Sequence, residues 1–356
     1  MERNATNNHS FPLDDKRITE SGFVCLLATI ATVGNVMLIV TIATTQSLHT
    51  VSNLVIVNLA TTDLIMATFV LPMWVVTTVL ETIVPEKLCT GVAMVTLMLF
   101  LESLTTMSVI SVDRYIWICN PLKYSIWVNE RRMCVVIACT WLQSILFASA
   151  PLFGYGNYTF RPAEMAICWL DFLYSANFTV LILCLTILPS YTVIVVCYAR
   201  IFYVARQQAT TRRWPSPAAR STVNSNFQTP TVKNKLVYKA SIRLRSSIRQ
   251  LRGYKTVFVI VFCFLLCWTP YIGLLTYSVL ASYRPNYALD FVVTYLAFAS
   301  SIANPLIFFT ISRDFRQTLL RTCFRRKPPT VQPLQEMIAA VAMTTTTAST
   351  ATGVVT

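Results

Sequence analysis

Residues 91–115 read GVAMVTLMLFLESLTTMSVISVDRY. From Gly91 to Val112 the only charged side chain is Glu102, and Asp113 and Arg114 close the run. At 1.5 Å per residue such a helix is about 33 Å long, enough to cross a hydrocarbon layer of about 30 Å. A backbone in hydrocarbon must satisfy its own N–H and C=O groups, so the run has to be a helix. The whole chain shares this character. Of 356 residues, 55% are hydrophobic and 12% charged, against about 25% charged in a soluble domain. The net charge of +14 does not indicate nucleic acid as a partner, because the basic residues lie between apolar runs instead of interleaving with polar ones on a soluble fold.

Six further runs of the same kind flank this one, and the spacing predicts helices near 22–45, 54–80, 88–118, 132–153, 174–204, 255–281 and 287–310. The fold class expected is an all-α membrane protein: a seven-transmembrane bundle over 22–310, preceded by an extracellular segment 1–21. The first run follows about twenty polar residues with no basic n-region and no small-residue cleavage site, which reads as a retained span and not a signal peptide. Asn4 and Asn8 head glycosylation sequons, which require the amino terminus to face the secretory lumen. Lys and Arg bias a loop to the cytoplasm; the stretch from Arg206 to Lys255 holds a dozen of them and no acid. Arg313, Arg316, Arg321, Arg325, Arg326 and Lys327 follow the last run, so the carboxyl terminus is expected inside, in a multi-pass protein of the plasma membrane. The basic connection of about 206–254 begins as a Ser/Thr/Asn-rich segment. Leu236 to Arg252 then has apolar and basic residues at helical spacing, suiting either a partner surface or an anchor on anionic lipid.

Several residues carry chemistry beyond span-forming. Cys89 and Cys168 are the two cysteines expected on the extracellular side, where oxidising conditions favour a disulfide over free thiols. Asp113-Arg114-Tyr115 ends the third run: Asp113 can neutralise Arg114 locally and leave its guanidinium for another partner, or the arginine is an interfacial anchor. Asp63 sits inside the second run, where an ionisable group is costly and marks a functional hypothesis. With Asn35, Ser103, Ser301 and Asn304 it forms either a wet pocket for a sodium ion or a static hydrogen-bonded knot. Glu102 is rotated away from the Arg114 face toward the fourth run; a structural bond to Gln143 or a backbone carbonyl competes with a proton- or ion-linked role. Pro189, Pro270 and Pro305 each remove one helical hydrogen bond. Trp268 beside Pro270 either couples ligand contact to helix motion or simply packs.

Taken together, Gly34-Asn35, Asn58-Leu59-Ala60 with Asp63, Leu71-Pro72, Cys89, Asp113-Arg114-Tyr115, Trp141, Cys168, Pro189, Cys267-Trp268-Thr269-Pro270 and Asn304-Pro305 resemble the rhodopsin-like G-protein-coupled receptors in order and spacing. The resemblance touches every span. It implies an outer ligand pocket, an activation switch at Trp268, Pro270, Pro305 and Phe308, an ionic switch at Arg114, and outward motion of the sixth span to admit a heterotrimeric G protein. It also implies a short amphipathic eighth helix over 311–323 with a palmitoylation site at Cys323, then a disordered tail, 324–356. Thr344 to Thr347, Ser349 and Thr350 suit receptor kinases and arrestin capture, or form an inert tail.

The departures from the family are informative. Phe308 replaces the usual tyrosine, Tyr198 lies one residue farther from Pro189 than expected, and Gln250 stands where many relatives carry an acid that locks the switch arginine. The weak lock implies ligand-independent signalling. Thr96 occupies the position of the amine receptors' aspartate and Phe298 that of the visual pigments' lysine. Leu181, Ile182 and Leu185 replace catechol-binding serines, and with Phe100, Trp268, Tyr271, Ile272 and Thr294 they imply an apolar, aromatic pocket for a lipid-like or small neutral ligand, or for none. Rival classes fit less well. A transporter would show internal repeats, and seven spans do not halve. A membrane enzyme needs a nucleophile–base pair or metal-ligand spacing that the two histidines, His9 and His49, do not supply. A ligand-independent scaffold stays open.

Overall fold

The computed structural model describes residues 15–80, 85–160, 167–211, 258–311 and 316. Asn4, Asn8, Gln250, the Leu236–Arg252 segment, the eighth helix, Cys323 and the hydroxyl-rich tail lie outside the described residues. Seven helices are long and apolar enough to cross a membrane: Arg17–Thr44, Val51–Val79, Glu86–Cys119, Glu130–Phe153, Ala176–Gln207, Phe258–Ala281 and Tyr287–Thr310. These agree with the seven apolar runs, and the first helix begins earlier than its run, at Asp15.

The third span is the axis of the bundle. Of its most apolar window 67% is buried, against 28% in the first span and 22% in the fourth, so those two spans give most of their surface to lipid. Lipid tails are as apolar as leucine, so close backbone approach and interhelical hydrogen bonds hold such a bundle together. Gly34 shows the first device. A Cβ there would lie 2.7 Å from Pro305 Cγ, so only glycine lets the first span approach the proline of the seventh. Pro305 has no N–H, which releases the carbonyl of Ser301 four residues earlier. Asn35 Nδ2 takes up that carbonyl at 3.0 Å. The freed carbonyl is therefore satisfied from a neighbouring helix.

Two other prolines act through backbone geometry. A π turn, Met66–Val70, immediately precedes Leu71-Pro72, and a second, Leu183–Ile187, immediately precedes Leu188-Pro189. Each widens the helix ahead of a residue that cannot donate to the carbonyl four back. The helix ends are capped locally. Thr50 accepts from Asn53 N at the second span, and Asn129 Oδ1 accepts from Arg132 N at 2.9 Å at the fourth. Between the third and fourth spans runs a short helix, Pro121–Trp127.

Over the outer mouth lies a two-stranded antiparallel sheet, β1 (Tyr158–Phe160) and β2 (Cys168–Leu170), with Thr159 opposite Trp169. Cys168 is bonded to Cys89, with Cα atoms 5.2 Å apart across a separation of 79 residues. This fixes β2 to the outer end of the third span and directs Trp169 and Leu170 into the bundle.

Candidate functional site

Four groups of polar or aromatic side chains occupy successive levels of the bundle. At the outer level β2 and the following loop roof a cavity of about 70 Å³. Its walls are Ile167, Trp169, Phe172 and Leu173 from the loop, Tyr271, Leu274, Leu275 and Ser278 from the sixth span, Tyr283, Arg284 and Pro285 between spans, and Asp290 and Thr294 from the seventh. A second space of about 10 Å³, room for one water, separates Trp169 from Phe100.

Of the six residues expected to line a ligand pocket, Tyr271 and Thr294 line the larger cavity, and Phe100 and Tyr271 the smaller. The other three are not among the walls of these two cavities. Thr96 is fully buried and donates to Val92 O at 2.6 Å. Phe298 packs on Trp74, with ring centroids 5.5 Å apart, and Ile272 belongs to the general core. The expected fifth-span wall also needs correction: Leu181 and Leu185 face outward at 45% and 57% exposure, leaving Ile182 on the cavity side.

Below the cavity the aromatics form one cluster. Trp169 Nε1 donates to Tyr271 Oη at 3.0 Å. Tyr271 packs edge-on against Phe100 and Trp268, and Phe100 lies 4.5 Å from Trp268, centroid to centroid. Trp268 Nε1 donates to Ser300 Oγ at 3.1 Å, joining the sixth span to the seventh just above Ser301. On the far side of Pro189, Tyr191 Oη reaches Thr269 Oγ1 at 2.7 Å, joining the fifth span to the residue before Pro270.

At mid-depth the polar residues divide into two clusters. In the first, Ser301 Oγ and Asn304 Nδ2 donate to the two carboxylate oxygens of Asp63 at 2.9 and 2.8 Å. Asn35 belongs through its bond to Ser301 O, while its own Oδ1 is buried with no partner among the described residues. Ser103 is buried, though no hydrogen bond joins it to this cluster. A carboxylate, an unpartnered amide oxygen and a hydroxyl are hard oxygen donors, the set that suits a small hard cation. The second cluster surrounds Glu102, which is fully buried. Glu102 Oε1 accepts from Asn58 Nδ2 at 2.9 Å, Thr106 Oγ1 at 3.0 Å and Thr140 Oγ1 at 3.1 Å; Oε2 accepts from Ser144 Oγ at 3.3 Å. Asn58 Oδ1 in turn accepts from Trp141 Nε1. Gln143, the expected partner, turns instead to Thr186 Oγ1 at 3.0 Å.

At the inner end, Arg114 Nε lies 3.6 Å from Asp113 Oδ2, close enough for attraction but outside hydrogen-bonding geometry. Nε has no hydrogen-bond partner among the described residues, and the guanidinium lies 5.9 Å from the centroid of the Trp117 ring. Asp113 has two stronger partners that the sequence did not reveal. Ser52 Oγ donates to Oδ2 at 2.7 Å and Tyr124 Oη to Oδ1 at 2.8 Å, tying the third span to the second and to the helix between spans three and four. Burial pushes the Tyr124 hydroxyl up to about 12, so it keeps the proton it donates. That short helix also presents Leu122 at 90% exposure and Ile126 at 65%, an apolar face beyond the end of the third span. Pro121 at the first helical position was the available signal for it.

A profile of the family described as "7 transmembrane receptor (rhodopsin family)" matches residues 34–308. The mouse (Mus musculus) alpha-1A adrenergic receptor is 30% identical over 326 residues, covering 83% of this chain and 66% of that receptor. The mouse alpha-1D adrenergic receptor is 29% identical over 331 residues, covering 86% of this chain and 58% of that receptor. The chain thus spans less than two thirds of the length of these relatives. Squid rhodopsin superposes with a TM-score of 0.71 at 25% identity, over 87% of this chain and 85% of its own. With the profile matched across most of the seven-helix bundle, the chain belongs to the rhodopsin family of seven-transmembrane receptors.

Proposed function

We propose that this chain receives a signal at its outer cavity and passes it to a heterotrimeric G protein through outward movement of the sixth span. The observation that carries this reading is continuity: Trp169, Tyr271, Phe100 and Trp268 are in serial contact from the cavity to the turn that contains Pro270. At the opposite end lies Arg114, whose Nε is 3.6 Å from Asp113 Oδ2 and has no hydrogen-bond partner among the described residues. The G protein meets Arg114 and the apolar face of Leu122 and Ile126 once the sixth span swings away. The amino terminus faces outside and the basic carboxyl-terminal segment faces the cytoplasm and its anionic lipid, where receptor kinases and arrestin act on the hydroxyl-rich tail.

Two finer features belong to the same reading. The Asp63, Asn35, Ser301 and Asn304 cluster holds a sodium ion in the resting state. Because Gln250 offers no charge to Arg114, the receptor signals without ligand. The adrenergic relatives point to an amine, but Thr96 stands in place of the aspartate of amine receptors and its hydroxyl is spent on Val92 O.

The test is basal cyclic AMP and inositol phosphate in cells expressing the full chain beside Arg114→Ala at matched surface level. A messenger change that the variant abolishes supports coupling and names the pathway. Equal messenger levels would defeat spontaneous signalling and favour the ligand-independent scaffold.

A further inference from the structure

Two consecutive residues ahead of Pro270 are held by different neighbours. Trp268 Nε1 donates to Ser300 Oγ of the seventh span, and Thr269 Oγ1 meets Tyr191 Oη of the fifth at 2.7 Å. Trp268 is buried, whereas Thr269 is exposed on the outer surface of the bundle. The hydroxyl proton of Thr269 goes to Leu265 O, four residues earlier, at 2.6 Å. Tyr191 is therefore the donor in its pair with Thr269. Tyr191 Oη also lies 3.4 Å from Leu265 O. One phenol hydroxyl thus touches both ends of a single helical turn.

That turn is already weakened. Pro270 has no N–H to offer the carbonyl of Leu266, and a threonine hydroxyl bonded back to the carbonyl four residues earlier bends a helix. Below the turn Ile260, Val261 and Phe264 are buried in the same core cluster as Met107 and Ile110 of the third span, so the inner half of the sixth span is packed inward. Outward movement of that half has to change the bend, and with it the spacing of Thr269 Oγ1 from Leu265 O. Tyr191 cannot keep both contacts when that spacing changes. Its own span is held in place, since Thr186, three residues before Pro189, accepts from Gln143 of the fourth span at 3.0 Å.

We infer that Tyr191 is a positioning residue that straps the hinge turn of the sixth span in its inward-packed bend and so sets how readily the span swings. The strap rests on the receptor reading only for its consequence in signalling.

Two measurements on the full chain test it. Hydrogen exchange followed by mass spectrometry in nanodiscs reads the opening of residues 265–271 without a G protein. Tyr191→Phe should speed exchange there about threefold, the factor one interhelical hydrogen bond contributes, and Thr269→Val should do the same. The double variant should go no further than either single one, because both remove one link. Thr269→Ser, which keeps the hydroxyl, should exchange like wild type. So should Thr192→Val, whose hydroxyl is spent on Leu188 O in its own helix. In cells at matched surface level, Tyr191→Phe should raise basal messenger by the same factor, whereas a merely structural role would lower it. Unchanged exchange in Tyr191→Phe, or additive effects in the double variant, overturns the strap. Faster exchange with unchanged messenger, where Arg114→Ala abolishes that messenger, overturns control of the swing and leaves the receptor reading standing. Faster exchange with no messenger from wild type or variant sinks the receptor reading and keeps the strap.

Discussion

Replacing Glu102 with leucine tests whether the buried carboxyl holds three spans together. The change removes the acceptor for four side-chain donors: Asn58 from the second span, Thr106 from the third, and Thr140 and Ser144 from the fourth. Interhelical hydrogen bonds in membrane proteins contribute about 0.6 kcal/mol each, which puts the loss near 2 kcal/mol. The loss is not larger because Thr140 already shares its hydroxyl with Ile137 O at 2.8 Å and Asn58 keeps its bond from Trp141. Glu102→Gln should behave differently. The three short contacts converge on one oxygen, which glutamine's amide retains, and the amide NH2 can donate to Ser144 Oγ where Oε2 now accepts. Thermal melting of the detergent-solubilised chain should show a clear fall in midpoint for Glu102→Leu and a midpoint near wild type for Glu102→Gln. If Glu102→Gln melts as low as Glu102→Leu, the charge and not the acceptor geometry sustains the cluster, and the argument from hydrogen bonds is wrong.

Tyr124→Phe removes one of two hydroxyls orienting Asp113 and, by loosening its hold on Arg114, should raise basal signalling several-fold, read as messenger level at matched surface expression. With Tyr124 titrating near 12 in the folded chain and near 10 unfolded, its contribution to stability is present below pH 10 and lost as pH rises through 12. The difference between Tyr124→Phe and wild type in melting midpoint should therefore be equal at pH 6 and pH 9. Gly34→Ala forces a Cβ against Pro305 and should cost about 1–3 kcal/mol of stability, whereas Gly22→Ala, which meets nothing within 4 Å, should melt like wild type. If the Asp63 cluster holds sodium, replacing potassium by sodium should raise the melting midpoint of the wild-type chain and leave that of Asp63→Asn unchanged.

Much of the architecture was legible before any coordinates. Seven apolar runs bounded by charge can be stable only as helices in lipid, because nothing else satisfies a backbone there. The Cys89–Cys168 bridge followed from compartment chemistry. The order of Asp63, Asp113-Arg114, Trp268 and Asn304-Pro305 was enough to express the family resemblance. What the sequence could not supply was the rotation of one helix about its axis relative to the next. The π turn at Leu183–Ile187 shows why: one extra residue in a turn rotates what lies beyond it by about 100°, and Leu181 and Leu185, carried over from the family's positions, face outward. The same blindness hid the partners of Glu102, which lie on two other spans, and the bond from Tyr124 to Asp113. Pattern along a chain decides which groups must leave water and in what local form; only packing between helices decides which of them meet. Thr294 belongs to the second kind: its hydroxyl is buried with no partner among the described residues where β2, the sixth span and the seventh enclose one space.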